Sequence, residues 1–285
     1  VKVYEFNPYY PLELSGEWTY NNRDHRKILV VDGKIAFTGG INFYRVYAKS
    51  PSNSDEDDGK LYWRDTQIRV EGPAVAEFQR LFLQMWRRRD KNFVVRPDFF
   101  PPLEKEGDLL VRVISSTHEQ RIPVIYATYL SAITNARRSI RITQAYFVPN
   151  DDIFEALFRA VQKGVDVQII LPGESDFWMP VYAGRAFYTR LLKAGVKLYE
   201  MRGALLHSKT AVIDGVWSTV GSSNMDTRSF LHDAEANAVI LSREFAEKME
   251  EMFRADLAES EQVTLEQWKK RALSNRILET IARIF

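Results

Sequence analysis

The sequence predicts an α/β fold of two similar lobes related by a pseudo-twofold axis, each a mixed, largely parallel sheet flanked by helices. Two observations carry this prediction. "HRKILVVDGKIAFTGGIN" from His25 and "HSKTAVIDGVWSTVGSSN" from His207 share one layout: Lys two residues after the His, Asp seven after, Gly fourteen after and Asn seventeen after. Around these segments, strand-like apolar runs alternate with amphipathic helical ones, the pattern of βαβ units.

Taken in order, "VKVYEF" (1–6) resembles "VKLYEM" (196–201), and each lies shortly before its His. Both read as strands. The second copy is preceded by a long strand–helix series, so the repeat leads us to expect roughly 85 residues of such structure ahead of Val1, and a first lobe that lacks its N-terminal strands and helices. "KSPSNSDEDDGK" (49–60) reads as a polar acidic loop. "GPAVAEFQRLFLQMWRRRD" (72–90) reads as an amphipathic helix with Val75, Phe78, Phe82, Met85 and Trp86 on its core face. "RPDFFPPLEKEGD" (96–108) is rich in Pro and charge and reads as a linker, dividing the chain into lobes at 1–107 and 108–285.

In the second lobe "SIRITQAYFVP" (139–149) is a buried strand, with Tyr146 and Phe147 in the core. "NDDIFEALFRAVQKG" (150–164) is a helix starting at Asn150 and stopping at Gly164. "VDVQIILPG" (165–173) is a strand, "SDFWMPVY" (175–182) an aromatic loop suited to core or lipid contact, and "PVYAGRAFYTRLLKAG" (180–195) a helix. The C-terminal stretch places Leu265, Trp268, Leu273, Ile277, Ile281 and Phe285 at helical spacing, for packing on its own lobe or for an interface.

Composition narrows the function. The 285 residues are 45% hydrophobic and 27% charged, with net charge +1 and no Cys. Disulfides, thiolate metal sites and Cys nucleophiles are excluded. No strong field favours DNA or RNA, so no nucleic-acid partner is expected. Four His without a tight His/Asp/Glu cluster argue against a metal centre, and no other cofactor is indicated. No apolar run reaches the length of a membrane-spanning helix.

In each repeat the His and Lys sit two apart on a predicted strand and share a face, before an Asp-Gly hairpin turn. An ammonium beside an imidazole attracts an anion and lowers the imidazole's proton affinity, leaving a nucleophilic or basic nitrogen. The Gly-rich returns bring backbone N–H groups close, with Gly40, Asn42, Ser222 and Asn224 as phosphate-supporting candidates. Five matched positions arise by chance about 3 times in 10⁷ per starting point, so the second copy makes coincidence a poor account. Asp32 and Asp214 complete the two candidate catalytic sets His25, Lys27, Asp32 and His207, Lys209, Asp214. Their Asp-Gly context favours a turn role over acid–base work. His118 and His232 lie outside the repeat and read as satisfied or solvated. Arg87, Arg88 and Arg89 read as a solvated helix end, with attraction to anionic lipid as the alternative.

The pattern His-x-Lys-x4-Asp-x6-Gly-x2-Asn, present twice, resembles the signature of the phospholipase D superfamily. The phrases "WRDTQIRVEGPAV", "AYFVPND", "GVDVQIILPGESD" and "GSSNMDTRSF" are similar to the bacterial cardiolipin synthases within it. The resemblance implies two lobes facing one cleft. It also implies a metal-free phosphatidyl transfer between two phosphatidylglycerol molecules, at a bacterial membrane surface to which the chain is peripheral or anchored. One His attacks phosphorus and the other protonates the departing alcohol, with His25 favoured as nucleophile by the family pattern and not ordered by the near-symmetric sequence. It further implies a carboxylate on the strand after each motif to orient the imidazoles: Asp65 in the first lobe and Glu235 in the second, with Asp233 as rival. Hydrolysis to phosphatidic acid and nuclease activity are the alternatives.

Overall fold

A computed structural model describes residues 1–6, 22–44, 47, 61–175 and 177–282. In the first half, the motif hairpin β1 (Ile28–Val31) and β2 (Ile35–Gly39) is followed by β3 (Tyr62–Arg64), β4 (Gln67–Glu71) and α1 (Val75–Arg89). A 3₁₀ turn, Pro97–Phe99, interrupts the predicted linker. There follow β5 (Leu110–Ser116), α2 (Val124–Thr134), β6 (Ser139–Gln144), α3 (Asp151–Gln162), β7 (Asp166–Pro172), α4 (Trp178–Arg185), α5 (Tyr188–Ala194) and β8 (Lys197–Met201). Then β9 (Ala204–Leu206) leads into the second motif hairpin, β10 (Lys209–Ile213) and β11 (Trp217–Gly221). The chain ends with α6 (Thr227–Leu231), β12 (Glu235–Leu241), α7 (Arg243–Ala258), β13 (Ser260–Val263), α8 (Leu265–Lys269) and α9 (Leu273–Ala282).

The large sheet runs β13-β8-β7-β6-β10-β11-β12-β5 and is mixed, as expected. Its parallel share is smaller than expected: only β6–β7 and β7–β8 pair in parallel. The first-half sheet β1-β2-β4 is antiparallel throughout. The reason is local. Each motif builds a hairpin, and a hairpin is antiparallel by construction; only the βαβ series contributes parallel ladders. Both Asp-Gly turns take the left-handed backbone that a type I′ turn requires. Asp32 and Gly33 have φ 52° and 66°, Asp214 and Gly215 have 56° and 65°, and Lys34 N–H and Val216 N–H close the turns onto Val31 and Ile213 at 2.9 and 3.2 Å.

Helices α2, α3 and α5 cover one face of the large sheet around Ile140, Ile142, Ile169, Tyr129 and Leu157. The first-half sheet and α1 cover the other: Ala36, Val70 and Phe78 share a core with Ala238 and Ile240 of β12. The two motifs are therefore locked together by apolar burial, at about 25 cal/mol per Å².

Several expectations are corrected. Val1–Phe6 is not a strand and is largely exposed; β8, its counterpart, is held between β7 and β13, whereas residues 1–6 pair with no strand among the described residues, and Tyr4 packs 4.7 Å from Trp86. On α1, Phe82 is exposed and Leu83 takes the core position. The aromatic "loop" is the start of α4, and the predicted helix over 180–195 is two helices. The C-terminal helix is also two: Trp268 packs on Tyr188 at 4.7 Å, but Leu273, Ile277 and Ile281 face outward, 69, 53 and 42% exposed, while Glu279 turns inward onto Arg271 at 2.7 Å. Residues 49–60 and Phe285 lie outside the described residues. Phe147 is buried as expected.

Helix α3 begins where the sequence placed it, with the Asn150 side chain accepting from Ile153 N–H at 3.0 Å. Asn150→Ala should cost about 1 kcal/mol in urea unfolding, with activity unchanged; no loss of stability would contradict the cap.

Candidate active site

Each motif His enters the site from just outside a strand, and each is fixed by the other half of the chain. Asp24 bridges Ala234 in parallel, and His25 N–H donates to Ala234 O at 2.9 Å. This lays His25 beside Glu235. In the other half β3 pairs in parallel with β9, and His207 N–H donates to Arg64 O at 2.8 Å. This lays His207 beside Asp65. The side chains follow the backbone: His25 Nδ1 is 2.8 Å from Glu235 Oε1, and His207 Nδ1 is 2.8 Å from Asp65 Oδ2. The resemblance placed one carboxylate after each motif; the structure shows that each serves the opposite imidazole. Asp233 instead pairs with Arg228 at 3.3 Å, so Glu235 is the partner.

A carboxylate on Nδ1 holds the proton there and leaves the Nε2 lone pair free. Both carboxylates are braced. Glu235 is fully buried and accepts from the Ser222 hydroxyl at 2.5 Å. Burial alone would raise its pKa; His25, Lys27 and Ser222 outweigh that and hold it low. Asp65 accepts from Thr66 N–H at 2.7 Å, and Arg64 beside it is clamped by Asp256 at 2.6 and 2.8 Å. Gly40 fits because Asp65 closes on it: a Cβ there would lie 2.1 Å from Asp65 Oδ1. Ser222 and Gly40 thus support the carboxylates, a more specific task than the phosphate contact expected of them.

The lysines lie at the same place, Lys209 fully buried and Lys27 half-buried. Lys27 Nζ donates to His25 O at 2.7 Å and Lys209 Nζ to His207 O at 2.5 Å. Burial lowers Lys27 to about 8 and Lys209 to about 7, against the pull of Asp65 and Glu235. Burial also lowers His207 to about 4, helped by Lys209 and Lys27 and opposed by Asp65. The influence of Lys27 on His207, and of Glu235 on Lys209, ties both motifs into one electrostatic unit. A site whose two ammonium groups are both depressed toward neutrality is stabilised by an incoming anion.

Asn224 is buried, and its Oδ1 has no hydrogen-bond partner among the described residues. Asn42 is exposed and reaches Tyr47 OH at 3.5 Å. Asp32 and Asp214 do not join the site. Each lies seven residues from its His along the strand, about 20 Å, and Asp214 instead accepts backbone N–H bonds from Arg137, Arg138 and Ser139 at 2.7–3.1 Å. That corrects their place among the catalytic candidates. His118 faces Glu119 at 3.9 Å, and His232 is exposed. Sequence reasoning missed Tyr47 and Trp63: the Tyr47 hydroxyl is 3.0 Å from His207 Nδ1, and the Trp63 ring packs edge-on to His207 at 5.3 Å. Only the neighbouring "YWRD" gave a hint, because Trp63 is two residues from Asp65.

A family model described as "Cardiolipin synthase, PLD-like domain" matches residues 129–257. The second half of the chain is similar to that family. It is 37% identical over 268 residues to a cardiolipin synthase of Geobacillus sp. (strain WCH70), covering 93% of this chain and 52% of that protein. It is 35% identical over 283 residues to a cardiolipin synthase of Halalkalibacterium halodurans, covering 98% and 55%. The chain therefore spans about half the length of the curated relatives it matches. The fold is also similar to a crystal structure of phosphatidylserine synthase from Haemophilus influenzae, with a TM-score of 0.67 at 13% identity over 93% of this chain and 69% of that one.

Two outcomes follow for this site. Sulfate affinity should fall as pH rises through about 7 to 8, because a lysine is cationic only below its pKa; Lys209→Met should remove the lower step, and a profile flat from about pH 6 to 9 would contradict the assignment. Gly40→Ala must displace Asp65 and should cost roughly 10²-fold in turnover with the fold retained by circular dichroism; activity within about threefold of wild type would contradict the Asp65–His207 pairing.

Proposed function

We propose that the chain carries the catalytic centre of a phosphatidyl transferase that forms cardiolipin and glycerol from two phosphatidylglycerol molecules. The observation that carries this reading is the crossed pair of imidazole–carboxylate bonds beside Lys27 and the buried Lys209. It leaves two Nε2 atoms available to one phosphodiester held in a pseudo-twofold cleft. His25 Nε2 attacks phosphorus; the P–O bond to the glycerol headgroup breaks, and the oxygen takes its proton from His207. The terminal hydroxyl of the second lipid then gives its proton to His207 and attacks phosphorus. The P–N bond breaks and its electrons return to His25. Lys27, Lys209, Asn42 and Asn224 stabilise the nonbridging oxygens.

His207 is neutral in the resting site, the state needed for the second half-reaction. The phosphodiester's negative charge raises its pKa and offsets the two ammonium groups, preparing it for the first. The same resting state favours one second reading, with His207 as the nucleophile and His25 as the acid.

A bilayer partner is supported by the outward Leu273, Ile277 and Ile281 on α9 and by exposed Phe177 and Trp178 beside α4, which packs on α9. Among the described residues no helix is long and apolar enough to cross a membrane. We place the activity at the surface of the bacterial membrane.

With vesicles containing radiolabelled phosphatidylglycerol, wild-type protein should yield cardiolipin, and His25→Ala and His207→Ala should each lose at least about 10³-fold. Alkaline quenching, which spares the acid-labile P–N bond, should trap phosphohistidine on His25 in the His207→Ala background; label on His207 in the His25→Ala protein would assign the reverse order. Label on neither would contradict covalent transfer, and phosphatidic acid as sole product would assign hydrolysis.

A further inference from the structure

The arginines that end α1 have a use the reaction does not give them. Arg80, Arg87, Arg88 and, just beyond the helix, Lys91 line one cavity of about 770 Å³. Their spacing of seven, eight and eleven residues from Arg80 puts them on one stripe of the helix. The opposite wall is the end of β5 and the residues after it, where Ser115, Thr117 and Gln120 offer hydrogen-bonding groups.

The charge of this lining is unbalanced. Four cations face one carboxylate, Glu119, a local +3 (4 − 1) in a chain whose whole net charge is +1. Glu119 pairs with Arg88, and Arg80 is held by Glu77 and lies 5.8 Å from the Phe100 ring. Arg87 and Lys91 have no ion-pair partner among the described residues. A merely solvated helix end would spread its cations into water. Here they converge on a walled space that also presents Leu83, Val95 and Phe100. Guanidinium and ammonium donors over an apolar wall suit a phosphate carried on an alkyl group.

The cavity is also joined to the catalytic segment. Arg26, between His25 and Lys27, has a side chain only 4% exposed. Asp24 holds it at 2.8 and 2.9 Å, and it donates to the carbonyl of Leu81, next to Arg80, at 3.4 Å. Ser115 is the register partner of Ala236, the residue after Glu235.

We infer that this cavity is a second anion site, separate from the two imidazoles, which binds the phosphate of another molecule. This site does not depend on the reaction being phosphatidyl transfer. Two sources have the required chemistry: the headgroup of a second anionic phospholipid and a soluble phosphate ester.

The test compares the full chain with Arg87→Ala/Lys91→Ala, with the charge-retaining Arg87→Lys/Lys91→Arg, and with Lys163→Ala/Lys193→Ala as a control on exposed cations just after α3 and within α5. Binding is read without turnover, by co-sedimentation with vesicles of equimolar phosphatidylglycerol and phosphatidylcholine and by calorimetry with sn-glycerol 3-phosphate. All four proteins are checked for equal melting. The cavity variant should bind anionic vesicles at least about tenfold more weakly than the control variant does, with the charge-retaining variant near wild type. Loss in the vesicle arm alone assigns a lipid headgroup; matching loss of sn-glycerol 3-phosphate binding assigns a soluble ester. Equal weakening in cavity and control variants would reduce the effect to general surface charge and overturn the site, as would unchanged binding in both arms. Because no turnover is read, failure here leaves the phosphatidyl-transfer reading standing, and an inactive protein with cavity-dependent binding leaves the site standing.

Discussion

The structure depends on two carboxylates that cross. Glu235 of the second repeat holds the imidazole of the first, and Asp65 of the first holds that of the second, each at 2.8 Å. Neither repeat can orient its own His. Burial of Glu235 is tolerable only with His25, Lys27 and Ser222 around it, since an unpaired buried carboxylate is costly. The backbone enforces the same crossing, through the Asp24–Ala234 bridge and the β3–β9 ladder. The site is thus a property of the pair, and the shared core of Phe78, Val70 and Ile240 keeps the pair in register.

Within this shared frame the halves have diverged. The His25 side chain is 30% exposed and that of His207 10%. Asn42 is exposed and Asn224 buried. Ser222 donates to Glu235, whereas at the matching place Gly40 makes room for Asp65. Tyr47 and Trp63 enclose His207. Burial accordingly lowers His207 to about 4. A reaction with one nucleophile and one acid calls for two imidazoles in unlike surroundings, which a perfectly symmetric site would not supply.

Much of this was readable from residues close in sequence. The Asp-Gly turns, the Asn150 cap, the βαβ series and the two His–Lys faces all rest on local backbone chemistry, and local chemistry is what a sequence displays. What was hidden rests on partners far along the chain. The crossing of Asp65 and Glu235 spans 142 and 210 residues, and a carboxylate on a strand does not advertise which imidazole it will meet. Val1–Phe6 has the composition of a strand, yet a strand forms only where a neighbour offers a ladder. The α9 pattern showed an amphipathic helix but not that its apolar side faces outward, because the buried Arg271–Glu279 pair sets its rotation. Arg87 and Arg88 looked like a solvated end until β5 supplied the wall opposite.

The claim on which the account stands is that one phosphorus sits between both imidazoles. A crystal structure of the protein soaked with vanadate addresses it most directly. The account predicts a single vanadate in contact with His25 Nε2 and His207 Nε2 on opposite sides, with Lys27 and Lys209 on its remaining oxygens. Vanadate bound by one imidazole alone, or two ions each held by its own repeat, would contradict it.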